Sequence, residues 1–164
     1  MAPQQLAQPP QPITTPLFGW AVFKSLCDAF GGEHFSIKAP NDIYINEKKV
    51  SGLLLDSVSQ GEDTHLIFGI GLNVFSAPQN VEHSTSLFEA GLSINEKNWA
   101  HFIFSLKTNL SLVAEESMAN TLKKDKINDL TFALNAYFDN SIETISPDGD
   151  IFLNDQTRMS WRDL

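Results

Sequence analysis

Between residues 34 and 74 turn residues cut the chain into short apolar runs, the pattern of a strand meander. His34 to Lys38 reads as one strand, ended by Pro40. Ile43-Tyr44-Ile45 and Lys49 to Val58 read as two more, joined by a turn at Asn46-Glu47-Lys48. Polar Ser59-Gln60-Gly61-Glu62-Asp63 turns the chain again. Thr64 to Val74 is nearly continuously apolar, which predicts a strand in the centre of the sheet. Three segments of this meander concentrate the residues able to hold a ligand: Lys38-Ala39-Pro40-Asn41-Asp42, Lys48-Lys49-Val50-Ser51-Gly52 and Gly69-Ile70-Gly71-Leu72-Asn73-Val74. One lysine, one asparagine and several glycines on the edges of three consecutive short strands suit a pocket for an anionic, nucleotide-sized ligand.

The segments on either side read differently. Residues 1–16 carry five prolines and four glutamines and predict an extended lead-in, because proline removes backbone donors and restricts its neighbour. Leu17 to Phe30 predicts a helix with Phe23, Leu26 and Phe30 on one face and Trp20 close by, stopped by Gly31-Gly32. After a loop at 75–86, Thr85 to Ala90 predicts a short helix closed by Gly91. Asn95 can cap a longer helix from Glu96 to about Glu116, with Trp99, Phe102, Ile103, Leu106, Leu110 and Val113 inward. Ile127 to Phe138 fits either an amphipathic helix or a strand, with helix favoured at its start. Ser141 to Ile145, the Pro147-Asp148-Gly149 turn and Ile151 to Leu153 predict a β-hairpin. The expected fold class is α/β in the α+β sense: a mixed, mostly antiparallel sheet flanked by helices. The expected organisation is a lead-in at 1–16, a core at 17–120 and a C-terminal segment at 121–164 that forms a reduced small β domain.

Composition excludes several function classes. The formal charge is −9 and the two arginines, Arg158 and Arg162, are both near the C-terminus, so the basic face that nucleic-acid binding requires is missing. The single cysteine, Cys27, rules out an internal disulfide framework and reads as a small core residue within its helix. No run approaches the roughly 20 apolar residues of a membrane span, and no basic and apolar secretory leader opens the sequence. The expected setting is soluble and cytoplasmic, without membrane or nucleic-acid partners. His34, His65, His83 and His101 lack metal-ligand spacing and read as structural or solvated.

Each candidate site residue has an ordinary structural role beside its functional one. Lys38 ends a strand before a rigid turn, where an ammonium can meet a carboxylate or phosphate, but lysines at strand ends are common. Asn41 and Asp42 favour turns by bonding local backbone. Gly52 lies inside a strand, where glycine costs order unless something must approach closely. Gly69 and Gly71 would let a flat ligand lie on bare backbone; no helix follows, which argues against a dinucleotide fingerprint. Asn73 is polar within an apolar strand and must find partners, either a ligand or a neighbouring loop.

In this order and spacing, the three segments resemble the core of the biotin–protein ligases, whose pattern is Lys-Trp-Pro-Asn-Asp, a Lys-x-x-Gly strand, then Gly-x-Gly-Ile-Asn. The resemblance covers about residues 10–115 and extends to Thr85-Ser86-Leu87-x-Glu89-Ala90-Gly91. It implies a class II synthetase-like biotin/lipoate ligase core. It also implies a two-step reaction: biotin and ATP give biotinyl-adenylate, and a carboxyl-carrier domain's lysine takes the biotinyl group. By resemblance Lys38 is the catalytic lysine at the carboxylate and α-phosphate. Asn41, Asp42, Lys49, Gly52, Gly69, Gly71 and Asn73 bind substrate or nucleotide, and Mg2+ lies near Asn73 with no dedicated His or Cys cluster. Lipoate ligases share the fold and the lysine, but Pro-Asn-Asp and Gly-x-Asn-Val fit the biotin branch better.

The sequence also departs from that pattern. The family's Gly-Arg-Gly-Arg-Arg-Gly loop is missing, and its place would fall before residue 1, so an N-terminally truncated core with an exposed sheet edge is expected. Such an edge predicts a homo-oligomer or a complementing chain. Ala39 stands for tryptophan, Asp56 for glutamate and Leu72 for isoleucine. Three readings follow: a biotin–protein ligase, a non-catalytic binding or interaction module that kept the pocket wall, and a lipoate-ligase-like acyltransferase.

Overall fold

The computed structural model describes residues 13–32, 35–60, 63–118, 122–137, 141–146, 149–159 and 161. The lead-in up to residue 12, His34, Gly61-Glu62, Phe138, Pro147-Asp148 and Arg162 lie outside them. Helix α1 (Thr14–Phe30) is followed by strands β1 (Phe35–Lys38), β2 (Asp42–Ile45), β3 (Lys48–Gln60) and β4 (Asp63–Leu72). These strands form one sheet in the order β1-β2-β3-β4, every pair antiparallel. Helices α2 (Glu96–Met118) and α3 (Lys124–Asn135) come next, then β5 (Ile142–Ile145), β6 (Ile151–Leu153) and β7 (Arg158–Met159), which make a second, three-stranded sheet.

Helix α1 packs against α2, α3 and strands β1 to β3. Pro16 in its first turn costs no helix hydrogen bond, since the first four amides have no partner inside the helix. Leu17, Phe18, Trp20, Ala21, Val22, Phe23 and Leu26 are all buried, so over its first turns the helix is enclosed rather than one-sided. It ends at Gly31 (φ 91°), whose amide donates to the Cys27 carbonyl. Alternation then assigns the two faces of the four-stranded sheet. Phe35, Ile37, Ile43, Ile45 and Leu53 are buried, and Phe68, Ile70 and Leu72 pack against the same core. The residues between them, Lys38, Asp42, Tyr44, Gly52, Leu54, Gly69 and Gly71, lie on the opposite face.

Three expectations are corrected. The apolar strand β4 is at the edge of the sheet, next to β3 alone among the described strands. Its run looks continuous because glycines at 69 and 71 occupy outward positions and Ile67 is left 54% exposed. Thr85 to Ala90 is a single hydrogen-bonded turn rather than a helix: the Ala90 amide reaches the Ser86 carbonyl (3.0 Å), and Gly91 at φ 86° then reverses the chain. Ile103 is exposed, because the inward stripe of α2 runs through Trp99, Phe102, Leu106 and Val113 and leaves it to one side. The Asn95 cap is present, its Oδ1 accepting from the Asn98 amide at 3.0 Å. The ambiguous segment is helical as α3, with Ile127, Leu130, Ala133 and Leu134 buried.

Candidate functional site

Strand register aligns four of the expected residues. Lys38 stands opposite Asp42, Asp42 opposite Gly52, and Gly52 opposite Gly71. At about 4.8 Å between strands this row crosses the sheet in about 14 Å, on the face that α1 does not cover. The next position along β3 and β4 pairs Leu54 with Gly69. A side chain at Gly71 would meet little but the Gly52 carbonyl oxygen at 3.6 Å, and one at Gly69 only Leu54 at 3.7 Å. The glycines therefore form a floor of backbone, open above, with Leu54 exposed beside it.

Lys49 reaches this face through a β-bulge. The β2–β3 register shifts between Ile43 and Tyr44, so Ser51 pairs with Ile43 and Lys49 with Tyr44. Val50 is the extra residue and is fully buried. A regular strand would put Lys49 and Gly52 on opposite faces; the bulge brings Lys49 to the face of Asp42. Its Nζ is 2.6 Å from Asp42 Oδ1. The two together lie over Gly52, where a Cβ would stand 3.2 Å from Lys49 Cε and 3.5 Å from Asp42 Oδ1.

Lys38 is held otherwise. Its Nζ lies 5.7 Å from the ring centroids of both Tyr44 and Tyr137, whose rings are 5.4 Å apart. Tyr44 first, then a hydrogen bond from Lys38 to Tyr137 and the electrostatic effect of Tyr137, raise the Lys38 pKa above the usual lysine range, so Lys38 is cationic at neutral pH. Among the described residues no carboxylate pairs with it.

The two asparagines have structural work. Asn41 Nδ2 donates to the Leu53 carbonyl at 2.8 Å, and its own carbonyl accepts from the Leu53 amide, fixing the turn after the cis Ala39–Pro40 bond to β3. Asn73 donates its backbone amide to Val50 O and its Nδ2 to Thr85 O (3.0 Å), while its carbonyl accepts from the Leu87 amide. It ties the end of β4 to the 85–87 loop. Among the described residues no group of three or more His, Cys, Asp or Glu could hold a metal ion, and no helix is long and apolar enough to cross a membrane.

Tyr44, Tyr137 and the Val50 bulge escaped the sequence reading. Tyr44 and Tyr137 flank Lys38, and nothing in their spacing joins residues so far apart in the chain. The Val50 bulge has no local signature. Glu89 was legible: Ser86-x-x-Glu89 has capping-box spacing, and Ser86 Oγ accepts from the Glu89 amide while Glu89 Oε2 accepts from the Ser86 amide. Glu89 Oε2 also accepts from the Ala77 amide, which fastens the loop beyond β4.

The four-stranded antiparallel sheet with α1 packed on one face has counterparts among solved structures. The fold superimposes on the Aquifex aeolicus biotin protein ligase in complex with biotin and ATP with a TM-score of 0.63, at 20% identity, over 92% of this chain and 69% of that one. For the Leishmania major biotin protein ligase in complex with biotinyl-5-AMP the TM-score is 0.56, at 17% identity, over 91% of this chain and 70% of that one. A sequence profile of the "Biotin/lipoate A/B protein ligase family" matches residues 4–73. The bifunctional ligase/repressor BirA of Salmonella typhimurium is 26% identical over 130 residues, which is 74% of this chain and 38% of that protein. Its Escherichia coli counterpart is 28% identical over 102 residues, 57% of this chain and 31% of that protein. The chain thus spans well under half the length of these relatives. Residues 4–73 thus resemble the biotin/lipoate protein ligase family, and the fold is like that of the solved biotin protein ligases.

Proposed function

We propose that the helix-free face of the β1–β4 sheet is an adenylation site, and that the chain supplies this part of a biotin–[carboxyl-carrier protein] ligase. The observation that carries the reading is the row Lys38–Asp42–Gly52–Gly71, with Lys49 turned onto it by the bulge. A backbone floor admits a flat ligand closely, and two ammonium groups at one end can hold a carboxylate beside a phosphate.

In the first step a biotin carboxylate oxygen bonds to the α-phosphorus of ATP, the bond to the bridging oxygen breaks, and pyrophosphate leaves. In the second, a carrier-domain lysine attacks the acyl carbon, AMP leaves and the amine loses a proton. Lys38 acts as the catalytic cation in the first step by holding the two reacting anions together. Lys49 is a second anion contact, and Gly52, Gly69 and Gly71 line the floor. Asn41 and Asn73 act by keeping the turn and the loop in place. Mg2+ would neutralise charge on the ATP phosphates; one or two protein oxygens commonly suffice for it, and Asn73 Oδ1 is the candidate in this set. A cytoplasmic setting fits these substrates. The outer edge of β4 is where a further strand, from a second copy or another chain, would add.

The test is biotin-dependent ATP–pyrophosphate exchange with Mg2+, comparing the chain with Lys38→Ala. Exchange that the variant abolishes while its fold is retained supports the reading. A fully active Lys38→Ala protein refutes the role of Lys38. Biotin binding without exchange would instead favour a binding module, a reading to which the Lys49–Asp42 pair lends weight, since it leaves Lys38 alone of the two lysines without a carboxylate partner among the described residues. Preference for lipoate in competition would favour the acyltransferase alternative.

A further inference from the structure

The Asp42–Lys49 pair covers the part of the floor that an anionic ligand would use. A side chain at Gly52 would lie 3.3 Å from Lys49 Nζ and 3.5 Å from Asp42 Oδ1, so the pair rests on Gly52 itself and not at a rim. Asp42 has two lysines within reach of its row, yet Lys38, its direct partner in the register, turns to Tyr44 and Tyr137. The carboxylate is committed to Lys49. The two side chains are 22% and 37% exposed, so water and a competing anion can reach the contact.

We propose that Asp42 is an internal counter-anion: in the ligand-free chain it occupies Lys49 and covers Gly52, and ligand binding exchanges it for the ligand's own carboxylate or phosphate. This rests on the reading of the sheet face as an anion site. It assigns Asp42 a role opposite to ligand binding. Its charge opposes the ligand, and the affinity of the site is set by the competition for Lys49. Exchange of one anion for another at the same ammonium keeps Lys49 paired throughout, and the swing of its flexible stem uncovers the floor.

The two assignments differ in sign. An aspartate that held the ligand or its metal would weaken binding when neutralised; a counter-anion strengthens it. The experiment is calorimetric titration of biotin into the wild type, Asp42→Asn, Lys49→Gln and the double variant, each checked for folding by urea denaturation. Asp42→Asn should tighten biotin about two- to fivefold, the range a partly exposed ion pair sets. Lys49→Gln should weaken it, and adding Asp42→Asn to Lys49→Gln should change nothing, because the two act through one contact. If the wild type binds biotin and Asp42→Asn binds equally or more weakly, the counter-anion is refuted and the site reading stands. If the wild type binds no biotin, the site reading fails, and inorganic phosphate then decides the exchange in the same four proteins. A phosphate affinity gained in Asp42→Asn and lost in the double variant supports it; no gain overturns it.

Discussion

Gly52→Ala should separate the fold from the site. The added methyl would stand 3.2 Å from Lys49 Cε and 3.3 Å from Lys49 Nζ, a few tenths of an ångström too close. Both atoms are the far end of a flexible lysine, so the cost is at most the Asp42–Lys49 pair, about 0.2–1 kcal/mol at this exposure. Gly52 is not among the positive-φ glycines, so alanine fits its backbone and restricts the unfolded chain, contributing about 0.4–1 kcal/mol in return. The net change in stability should lie within about 1 kcal/mol of zero, read as the urea midpoint at unchanged slope. The ligand meets the same methyl as a raised floor between Asp42 and Gly71. Misplacement by about an ångström costs on the order of 100-fold in rate, so pyrophosphate exchange should fall by that order. A loss of more than about 2 kcal/mol in stability would show that the ion pair is rigidly packed and not displaceable. Unchanged exchange would show that the ligand does not use the floor at all.

Two further outcomes test the supports of the site. Asn41→Ala removes the donor to the Leu53 carbonyl and should cost about 1–3 kcal/mol in urea denaturation, because a half-buried acceptor loses its partner. Burial, then the Asp28 charge, push the Cys27 thiol from 9.0 up to about 12. The folded chain therefore keeps a proton that the unfolded chain releases above its ordinary value. The resulting stability is complete below 9.0 and is lost as pH rises towards about 12. The wild type should lose more stability between about pH 8 and about pH 10.5 than Cys27→Ala does; equal slopes would refute the shift.

The site was partly legible because its ingredients are local. Lys38, Pro40, Asn41 and Asp42 fall in one turn, and Gly69 and Gly71 in one strand, so short-range pattern located them. Their alignment was not legible. A row across four strands depends on register, which pairing and the Val50 bulge set together. The same limit explains β4. Glycine scores as apolar in a run yet presents nothing to bury, so a strand with one covered face reads like one with two. Lys49 is the sharpest case, since strict alternation from Gly52 assigns it to the wrong face.

What the sequence determined by itself is the set of elements. Apolar spacing, the Asn95 cap, the Gly31 stop and the turn at Asn46-Glu47 (φ 48° and 63°) each act within a few residues, through local hydrogen bonds and backbone sterics. The tertiary structure alone decided which face of the sheet stays bare, which lysine pairs with a carboxylate, and that Tyr137 of the segment after α3 meets Tyr44 of β2 around Lys38. Those outcomes join residues distant in the chain. They follow from packing α1 against one side of the sheet, which leaves the other side to the charges and glycines that the core cannot hold.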